Sequence, residues 1–366
     1  MLLPTDSQEE PIIVGLDLHV RNSFLSAMDL ETGELFDQRR IPNTREAIRG
    51  YFGQFAGQEV KVTLEATTNT YPMVSLLRQM PKVQLTVVHP RKMRIIAESL
   101  CKTDRVDSEV LVELGRGPYR LPTSYIPHAE VHDLRCELRT RARLVAMRTE
   151  LKNRVHGLLS GEGFFEHPPE LFGKRGREWL AEVELTEGAR RRLDRLLRLL
   201  DQFEAELLEI SQVLREQYAR MPLWAEDVKL LTSMPGIGLL TALTILSELG
   251  DWRRFGHPES VVNYAGLVPS LDESNQKSHY GHLTKQGPRF LRWILAEAAQ
   301  VARRKVPRYG RLYDRVARKK GAGKATMAVA RQMLEHAWLM LKRREKFHYE
   351  VTEKMVLGGE PVVGMA

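Results

Sequence analysis

Four carboxylates occupy positions from which they could bind metal ions. Asp17 lies inside an apolar run, and Glu65 ends a second apolar run. Asp104 and Asp107 are three residues apart in KTDRVDSE, which places both on one face of a helix. A buried carboxylate is costly unless it is paired or bound to a cation, and carboxylate oxygens suit Mg²⁺. Two such ions, roughly 3.5–4 Å apart, could activate a nucleophile and stabilise the leaving oxygen of a phosphodiester.

Each of these acids, taken alone, also has an ordinary structural interpretation. Asp17 could accept hydrogen bonds at a strand end, and Asp104 could cap a helix. His19 lies two residues after Asp17 on the same side of the strand, but it could equally be a polar strand-end residue, and we assign it no role. The prediction of a metal site therefore depends on the elements that would bring all four acids together.

The pattern of residues 1–116 predicts an α/β domain. Strands are expected at 11–19, 21–30, 35–41, 60–65 and 83–88, with a tight turn at 31–34. Helices are expected from a cap at Asn43 and Thr44 through Phe52, and over 71–79. A three-stranded meander followed by alternating helices and strands is the order of an RNase H-like fold. In that order the first strand, the fourth strand and the last helix meet at one end of the sheet.

The middle of the chain is predicted to be helical. Residues 117–128 are rich in glycine and proline and are expected to form a linker. Long helices are expected at about 129–161 and 188–218, within a region that ends at residue 221. Sustained heptads in the second helix predict either an antiparallel helical hairpin or a coiled coil between chains. One heptad position holds Leu193, Leu200, Leu207 and Leu214, and the other holds Leu196, Phe203 and Ile210.

The charge balance favours a polyanionic partner. The formal net charge is +8 and the isoelectric point is about 9.4, so nucleic acid is the simplest candidate. The first long helix is especially basic and is predicted to contact a nucleic-acid backbone. The alternative is a solvated outer face, because coiled-coil surfaces are normally charged. The predicted contacts there are Arg135, Arg139, Arg143, Lys152 and Arg154.

Residues 222–345 are predicted to form a mostly helical domain, followed by a loose tail at 346–366. The turn PGIG opens a helix at 239–249 and resembles half of a helix-hairpin-helix, in which the amides of Gly236 and Gly238 would hold a DNA phosphate. The alternative is a packing corner between helices. A polar segment with Lys285 and Arg289 near its end is predicted to be a loop before a helix at 288–302. It contains serines that could attack a phosphate, although serine is common in loops; they are Ser270, Ser274 and Ser278.

Other features exclude some classes of protein. The two cysteines form no CxxC pair, which argues against a disulfide framework or a cysteine zinc site. No run of about 18 apolar residues is present, so no membrane span is expected. The first residues lack the features of a signal peptide. We therefore expect a protein of the bacterial cytosol or nucleoid.

Several strings, taken in chain order, resemble those of the insertion-sequence 110 transposases. They are IIVGLDLH, TLEAT, KTDRVDSE, MPGIG, YAGLVPS and LTKQG, and the resemblance extends from about residue 11 to 342. It implies a RuvC-like domain with an Asp-Glu-Asp-Asp set, a coiled-coil middle and a C-terminal transposase domain with a serine. Carried over, the acids are Asp17, Glu65, Asp104 and Asp107. The best-matching serine is Ser274, but Asn275 follows it where many relatives have glycine, so Ser270 and Ser278 remain rivals.

The resemblance also implies an activity. Such a recombinase excises and inserts a mobile element, and a structured bridge RNA pairs with donor and target DNA. A serine joins the DNA phosphate while carboxylate-bound Mg²⁺ polarises it, in a dimer or tetramer. Two alternatives stay open. A metal-dependent junction endonuclease would use water and make Ser274 an ordinary loop residue. A non-catalytic RNA-binding scaffold would need none of the acids.

Overall fold

The computed structural model describes residues 11–89, 103–117, 121–274 and 277–348, with the backbone alone for 270–274 and 277–280. The chain forms two compact units, Met1–Ala129 and Glu130–Ala366. The first unit is a mixed α/β structure and the second is rich in helices. No helix in the described ranges has the length and apolar character needed to cross a bilayer.

The first unit is built on a five-stranded sheet. Its elements are β1 (Ile12–Leu18), β2 (Asn22–Asp29), β3 (Leu35–Pro42), α1 (Arg45–Gly53), β4 (Val60–Glu65), α2 (Thr70–Leu77), β5 (Val83–Val88) and α3 (Asp104–Arg116). The strand order is β3-β2-β1-β4-β5. The first three strands are antiparallel, whereas β4 pairs parallel with both β1 and β5. The five predicted strands and both predicted helices are confirmed to within about two residues, including the Thr44 cap, whose hydroxyl accepts the Ala47 amide.

Strand β1 lies at the centre of this sheet and is buried on both faces. Every residue of IIVGLDL is buried except Asp17, which is half-buried. A near-continuous apolar run of this kind is typical of a central strand covered on both sides. Leu16 and Leu18 pack into the main core of the unit with Leu25 and Val62. Asp17 is therefore a polar exception in a strand that otherwise forms the core.

Part of the predicted linker belongs to the sheet edge. The Ser124 amide donates to the Val87 carbonyl oxygen at 2.7 Å, and the His89 amide donates to the Pro122 carbonyl oxygen at 2.8 Å. Thr123 forms an antiparallel bridge with Val88. Residues 121–124 therefore satisfy backbone groups along β5, which a Gly- and Pro-rich composition does not reveal.

The second unit contains nine helices in the described part of the chain, two short 3₁₀ turns and one hairpin. The helices are α4 (Ala129–Gly161), α5 (Lys174–Glu182), α6 (Glu187–Ala219), α7 (Ala225–Leu231), α8 (Leu239–Leu249), α9 (Pro258–Tyr264), α10 (Arg289–Lys305), α11 (Pro307–Lys320) and α12 (Ala322–Arg343). The 3₁₀ turns are Pro222–Trp224 and Trp252–Arg254. The main core joins α8, α10 and α12, where the buried Trp338 indole donates to the Trp252 carbonyl oxygen.

The long helices α4 and α6 lie antiparallel. Their cross-contacts join Arg141 to Ser211 and Lys152 to Glu204, so residue numbers rise along one helix as they fall along the other. The predicted leucines of the first heptad position are all buried within this chain. For these residues the structure favours the hairpin over the coiled coil between chains. Any association between chains stays a prediction.

The polar segment predicted to be a loop forms a hairpin of two strands. Strands β6 (Pro269–Ser274) and β7 (Lys277–Leu283) pair antiparallel, with Ser274 opposite Lys277. The prediction was wrong because this segment lacks the alternation of apolar residues that marks a half-buried strand. Of the predicted tail, Phe347 is buried and its amide donates to the Ser233 hydroxyl, while 349–366 lie outside the described residues.

Candidate active site

The end of β1 carries the first candidate side chain, Asp17. Two residues earlier, Gly15 lets α3 approach the strand closely, because a Cβ at this position would lie 2.1 Å from the Ser108 carbonyl oxygen. A buried hydrogen bond of 2.7 Å between the Ser26 and Ser108 hydroxyls holds the same crossing. The sequence therefore places a glycine where the helix must cross the strand, and this brings the start of α3 to Asp17.

The first turn of α3 carries Asp104 and Asp107. Thr103 caps the helix, and its hydroxyl accepts the Val106 amide. The partial positive charge of a helix N-terminus favours acids in this turn. Asp104 also contacts the guanidinium of Arg40 on β3. As predicted, both acids lie on one helix, and Asp104 meets the end of β1.

A histidine to which the sequence assigned no role joins these acids. The Nε2 atom of His19 lies 3.0 Å from Asp17 Oδ2 and 3.2 Å from Asp104 Oδ1. One ligand atom from each of the three residues lies within 4.8 Å of the other two. The Asn43 amide donates to the His19 carbonyl oxygen at 2.8 Å and holds the backbone there. The only sequence signal for His19 was its position two residues after Asp17.

The electrostatics of the cluster of Asp17, His19 and Asp104 favour a bound cation. Burial raises the pKa of Asp17, the charge of His19 opposes that rise, and the nearby Asp107 and Asp104 add to it. Asp17 Oδ2 is buried, and His19 Nε2 lies 3.0 Å from it. Two carboxylate oxygens and an imidazole nitrogen are suitable donors for a divalent metal ion. The residues present therefore fit such an ion.

Glu65 ends β4, the strand beside β1. Leu16 is paired with Leu64, so the parallel register sets Glu65 beside Asp17 at the same end of the sheet. Glu65 and Asp107 are not among the three residues whose ligand atoms converge within 4.8 Å. The structure thus brings the four predicted acids to one end of the sheet, with two of them and His19 in the closest group.

Two arginines on α4 that are predicted to contact nucleic acid form hydrogen bonds with residues of α8. Arg135 donates to the Ser247 carbonyl oxygen, and Arg139 donates two hydrogen bonds of 2.7 and 2.8 Å to the buried Glu248 carboxylate. These guanidinium groups bind α8 because Glu248 would otherwise be a buried charge without a partner. Contact of Arg135 and Arg139 with nucleic acid stays a prediction.

The remaining cations predicted on α4 differ in their surroundings. Arg154 pairs with Glu150 one turn earlier on α4. Lys152 lies 3.5 Å from a Glu204 oxygen and 4.9 Å from the centre of the Phe172 ring. Arg143 is exposed, and within the described ranges it has no carboxylate partner. Their contacts with nucleic acid stay predictions.

The PGIG turn is a packing corner at its first glycine. Gly236 has a φ of 95°, and a Cβ there would lie 2.4 Å from the Ala298 carbonyl oxygen on α10. Glycine is therefore required for close packing between helices rather than for access of a phosphate. Gly238 forms the N-cap of α8, and a Cβ there would meet nothing within 4 Å. A phosphate at Gly238 stays a prediction.

The β6–β7 hairpin, which contains the three candidate serines, has a tightly packed base. Gly266 and Gly287 both have positive φ, and the Arg292 guanidinium donates to the carbonyl oxygens of Ala265 and Gly287 at 3.0 and 2.9 Å. The YAGLVPS and LTKQG strings thus join the two ends of the hairpin. Lys285 and Arg289 are exposed beside this base. By backbone position, Ser274 lies at the end of the hairpin, Ser270 on β6 and Ser278 on β7.

Comparison with known proteins gives two family matches. A model described as "Transposase", for the DEDD domain of IS110 elements, matches residues 14–163. A second, described as "Transposase IS116/IS110/IS902 family", matches residues 228–314. The first contains the acid cluster and the second contains the β6–β7 hairpin.

Similar whole proteins come from several bacteria. The transposase for insertion sequence element IS1111A of Coxiella burnetii is 27% identical, over 67% of this chain and 68% of its own length. The IS110 43.6 kDa protein of Streptomyces coelicolor is 24% identical, over 92% of this chain and 95% of its own length. The transposase for IS1328 of Yersinia enterocolitica is 26% identical, over 66% and 70% respectively.

Proposed function

The chain belongs to the IS116/IS110/IS902 family of transposases, and we propose that it cleaves and rejoins DNA strands by joining a serine to a DNA phosphate at a metal site. The single observation that carries the metal part is the convergence of Asp17, His19 and Asp104, whose ligand atoms lie within 4.8 Å of one another. A partly buried acid with a raised pKa, beside other acids, is typical of a functional site.

Asp17, His19 and Asp104 would hold the metal ion, and Glu65 and Asp107 supply further oxygen donors beside it. A divalent ion such as Mg²⁺, bound there, would polarise a DNA phosphate and stabilise the charge on the leaving oxygen. The first turn of α3 adds the partial positive charge of a helix N-terminus to the same place. Arg40, which contacts Asp104, orients that carboxylate.

Ser274 is the proposed nucleophile. Its hydroxyl oxygen forms a bond to phosphorus while one P–O bond of the DNA breaks; the hydroxyl proton passes to a base, and the leaving oxygen takes up a proton. The reverse reaction, with an oxygen of the exchanged strand attacking the phosphoserine, reseals the DNA without an energy source. The match of residues 228–314 to the transposase family and the position of Ser274 at the hairpin end support this assignment.

Replacing Ser274 with alanine tests the nucleophile. We expect Ser274→Ala to abolish both strand exchange and the covalent protein–DNA product, which is measured as a shifted band after denaturing electrophoresis. Ser270→Ala and Ser278→Ala are matched controls and should retain both. Loss of the covalent product in one of these controls instead would move the nucleophile to that serine. Cutting that survives all three changes, with no covalent product, would indicate that water is the nucleophile.

We propose that a structured RNA, which pairs with donor and target DNA, selects the target site. The net charge of +8 is compatible with two polyanionic partners. Sequencing the RNA that co-purifies with the protein, expressed together with its native flanking DNA, tests this proposal. A single discrete RNA encoded beside the gene is expected. Scattered cellular RNA would contradict guidance and leave DNA recognition to the protein.

A further inference from the structure

Exposed cations cover the outer side of α11 and the start of α12. We define the α11 basic surface by the six residues Arg311, Arg315, Arg318, Lys319, Lys320 and Lys324, all of which are exposed. The only acid in α11 is Asp314. The match to the transposase family ends at residue 314, so five of these six residues lie beyond it.

The helical spacing separates this surface from the core. Arg311, Arg315 and Arg318 recur at four- and three-residue intervals and so share one face of α11. Tyr309 on the other side is fully buried, and Leu312 packs against the main core of the unit. The arginines are therefore held on a fixed helix with their charges directed to solvent.

No carboxylate neutralises these six cations within the described ranges of the chain. The one polar contact they make there is from Arg318 Nε to the backbone carbonyl oxygen of Asp314, at 3.3 Å. Three arginines of the α5–α6 region behave differently. Arg177 contacts Asp201, Arg191 contacts Glu187 and Arg192 contacts Glu162. Unneutralised charge thus distinguishes the α11 basic surface from these three paired arginines.

We propose that the α11 basic surface binds the phosphate backbone of the DNA duplex on which the transposase acts. Fixed cations without acidic partners release counterions when they neutralise phosphates, and this favours binding. Contacts of lysine and arginine with phosphate oxygens fix the position of a protein on the duplex without reading its sequence, and we assign this positioning role to the surface. The choice of DNA as the polyanion rests on the proposed function.

The test compares two variants of the full chain that lose the same charge. One is Arg311→Gln, Arg315→Gln, Arg318→Gln; the control is Arg177→Gln, Arg191→Gln, Arg192→Gln. Each triple lowers the formal net charge from +8 to +5 (8 − 3). Binding to a fluorescent DNA duplex is measured between about 50 and 200 mM salt with EDTA present, so that no cleavage is required.

The α11 triple is expected to weaken duplex binding at least about tenfold at the lowest salt concentration. It should also flatten the slope of log K against log salt by about 2 to 3, since each lost phosphate contact contributes about 0.9. The control should stay within about twofold of the unchanged protein. Circular dichroism checks folding, and if the triple unfolds, Lys319→Gln, Lys320→Gln, Lys324→Gln replaces it with the same expected direction.

Equal losses in both triples would overturn the proposal, because overall charge rather than this surface would then govern binding. An unchanged α11 triple would overturn it as well. Weakened binding to an RNA hairpin with unchanged binding to duplex DNA would assign the surface to RNA and also overturn it. Because binding is measured without metal, failure of the proposed cleavage chemistry would not affect this result.

Discussion

Asp17 in the first unit and Glu248 in the second differ in how their carboxylates are paired with cations. In the first unit, Asp17 has a raised pKa, and its buried Oδ2 lies 3.0 Å from His19 Nε2 with the acids Asp104 and Asp107 nearby. In the second unit, the carboxylate of Glu248 is 2% exposed and receives two hydrogen bonds from Arg139, with Arg135 at 3.8 Å. Since a buried charge is costly when alone, the crowding of acids around Asp17 favours an external cation there, and the complete pairing of Glu248 indicates a structural role.

Asp227 and His336 extend the pattern of the second unit. Asp227 accepts from the Trp252 indole at 2.9 Å and contacts Arg344. His336 is fully buried, and its Nδ1 lies 2.6 Å from the Tyr309 hydroxyl. The polar groups of this core therefore join helices to one another, and the comparison predicts that disturbing them changes stability before it changes chemistry.

The largest expected effect comes from breaking the pairing of Glu248. Replacing both Arg135 and Arg139 with alanine leaves a buried carboxylate without a cation and should lower the free energy of unfolding by about 3–5 kcal/mol. Chemical denaturation at neutral pH measures this. The exposed pair Arg143→Ala, Arg154→Ala is the control, with a change below about 1 kcal/mol expected. Equal stability of the two double variants would contradict a structural role for the Glu248 pairing.

The second largest effect is expected at Asp17 in the first unit. Asp17→Asn should reduce strand cleavage at least about 100-fold, because even residues behind the metal ligands typically contribute 10- to 100-fold. The same variant should be no less stable than the unchanged protein at pH 7 without metal. The raised pKa means that the folded state disfavours the charged carboxylate, a penalty present above that pKa and absent in the amide. Full strand cleavage by Asp17→Asn would contradict a role for Asp17 as a metal ligand in the reaction.

The smallest effect is a pH dependence of stability from His336. Burial is the main cause that lowers the pKa of this imidazole, to about 3, with a further contribution from the charge of Arg308. Its neutral form stabilises the fold fully above the unfolded pKa of about 6.5, and this contribution is lost as the pH falls toward 3. Between pH 7 and 5 we expect a loss of about 2 kcal/mol that His336→Asn does not show. Identical pH profiles of the two proteins, measured by denaturation, would exclude this linkage.

The elements of the first unit were predictable because their signals are local. The apolar run of β1, the cap at Thr44 and the aspartate pair of the KTDRVDSE string each lie within a few residues of the structure they specify. The long helices α4 and α6 followed in the same way from heptad spacing. The β6–β7 hairpin could not be predicted in this way, because its strands are defined by pairing with each other rather than by an apolar pattern.

The roles of individual polar residues were difficult to predict when their partners lie far away along the chain. His19 was ambiguous until β1 and α3 were placed together, since Asp104 is 85 residues away (104 − 19). The pairing of Arg139 with Glu248 could not be predicted, because the two residues are 109 positions apart in the chain. The exposed cations of α11 stood out only when the paired arginines elsewhere were known.

The sequence by itself determined the order of strands and helices in the first unit, the family and the residue types available for chemistry. The tertiary structure alone decided which charges are neutralised, because an ion pair requires two side chains to meet within about 4 Å. Backbone conformation follows mainly from neighbouring residues, whereas the free energy of a charge depends on everything packed around it. That difference separates Asp17 from Glu248, and the α11 basic surface from Arg135 and Arg139 of α4.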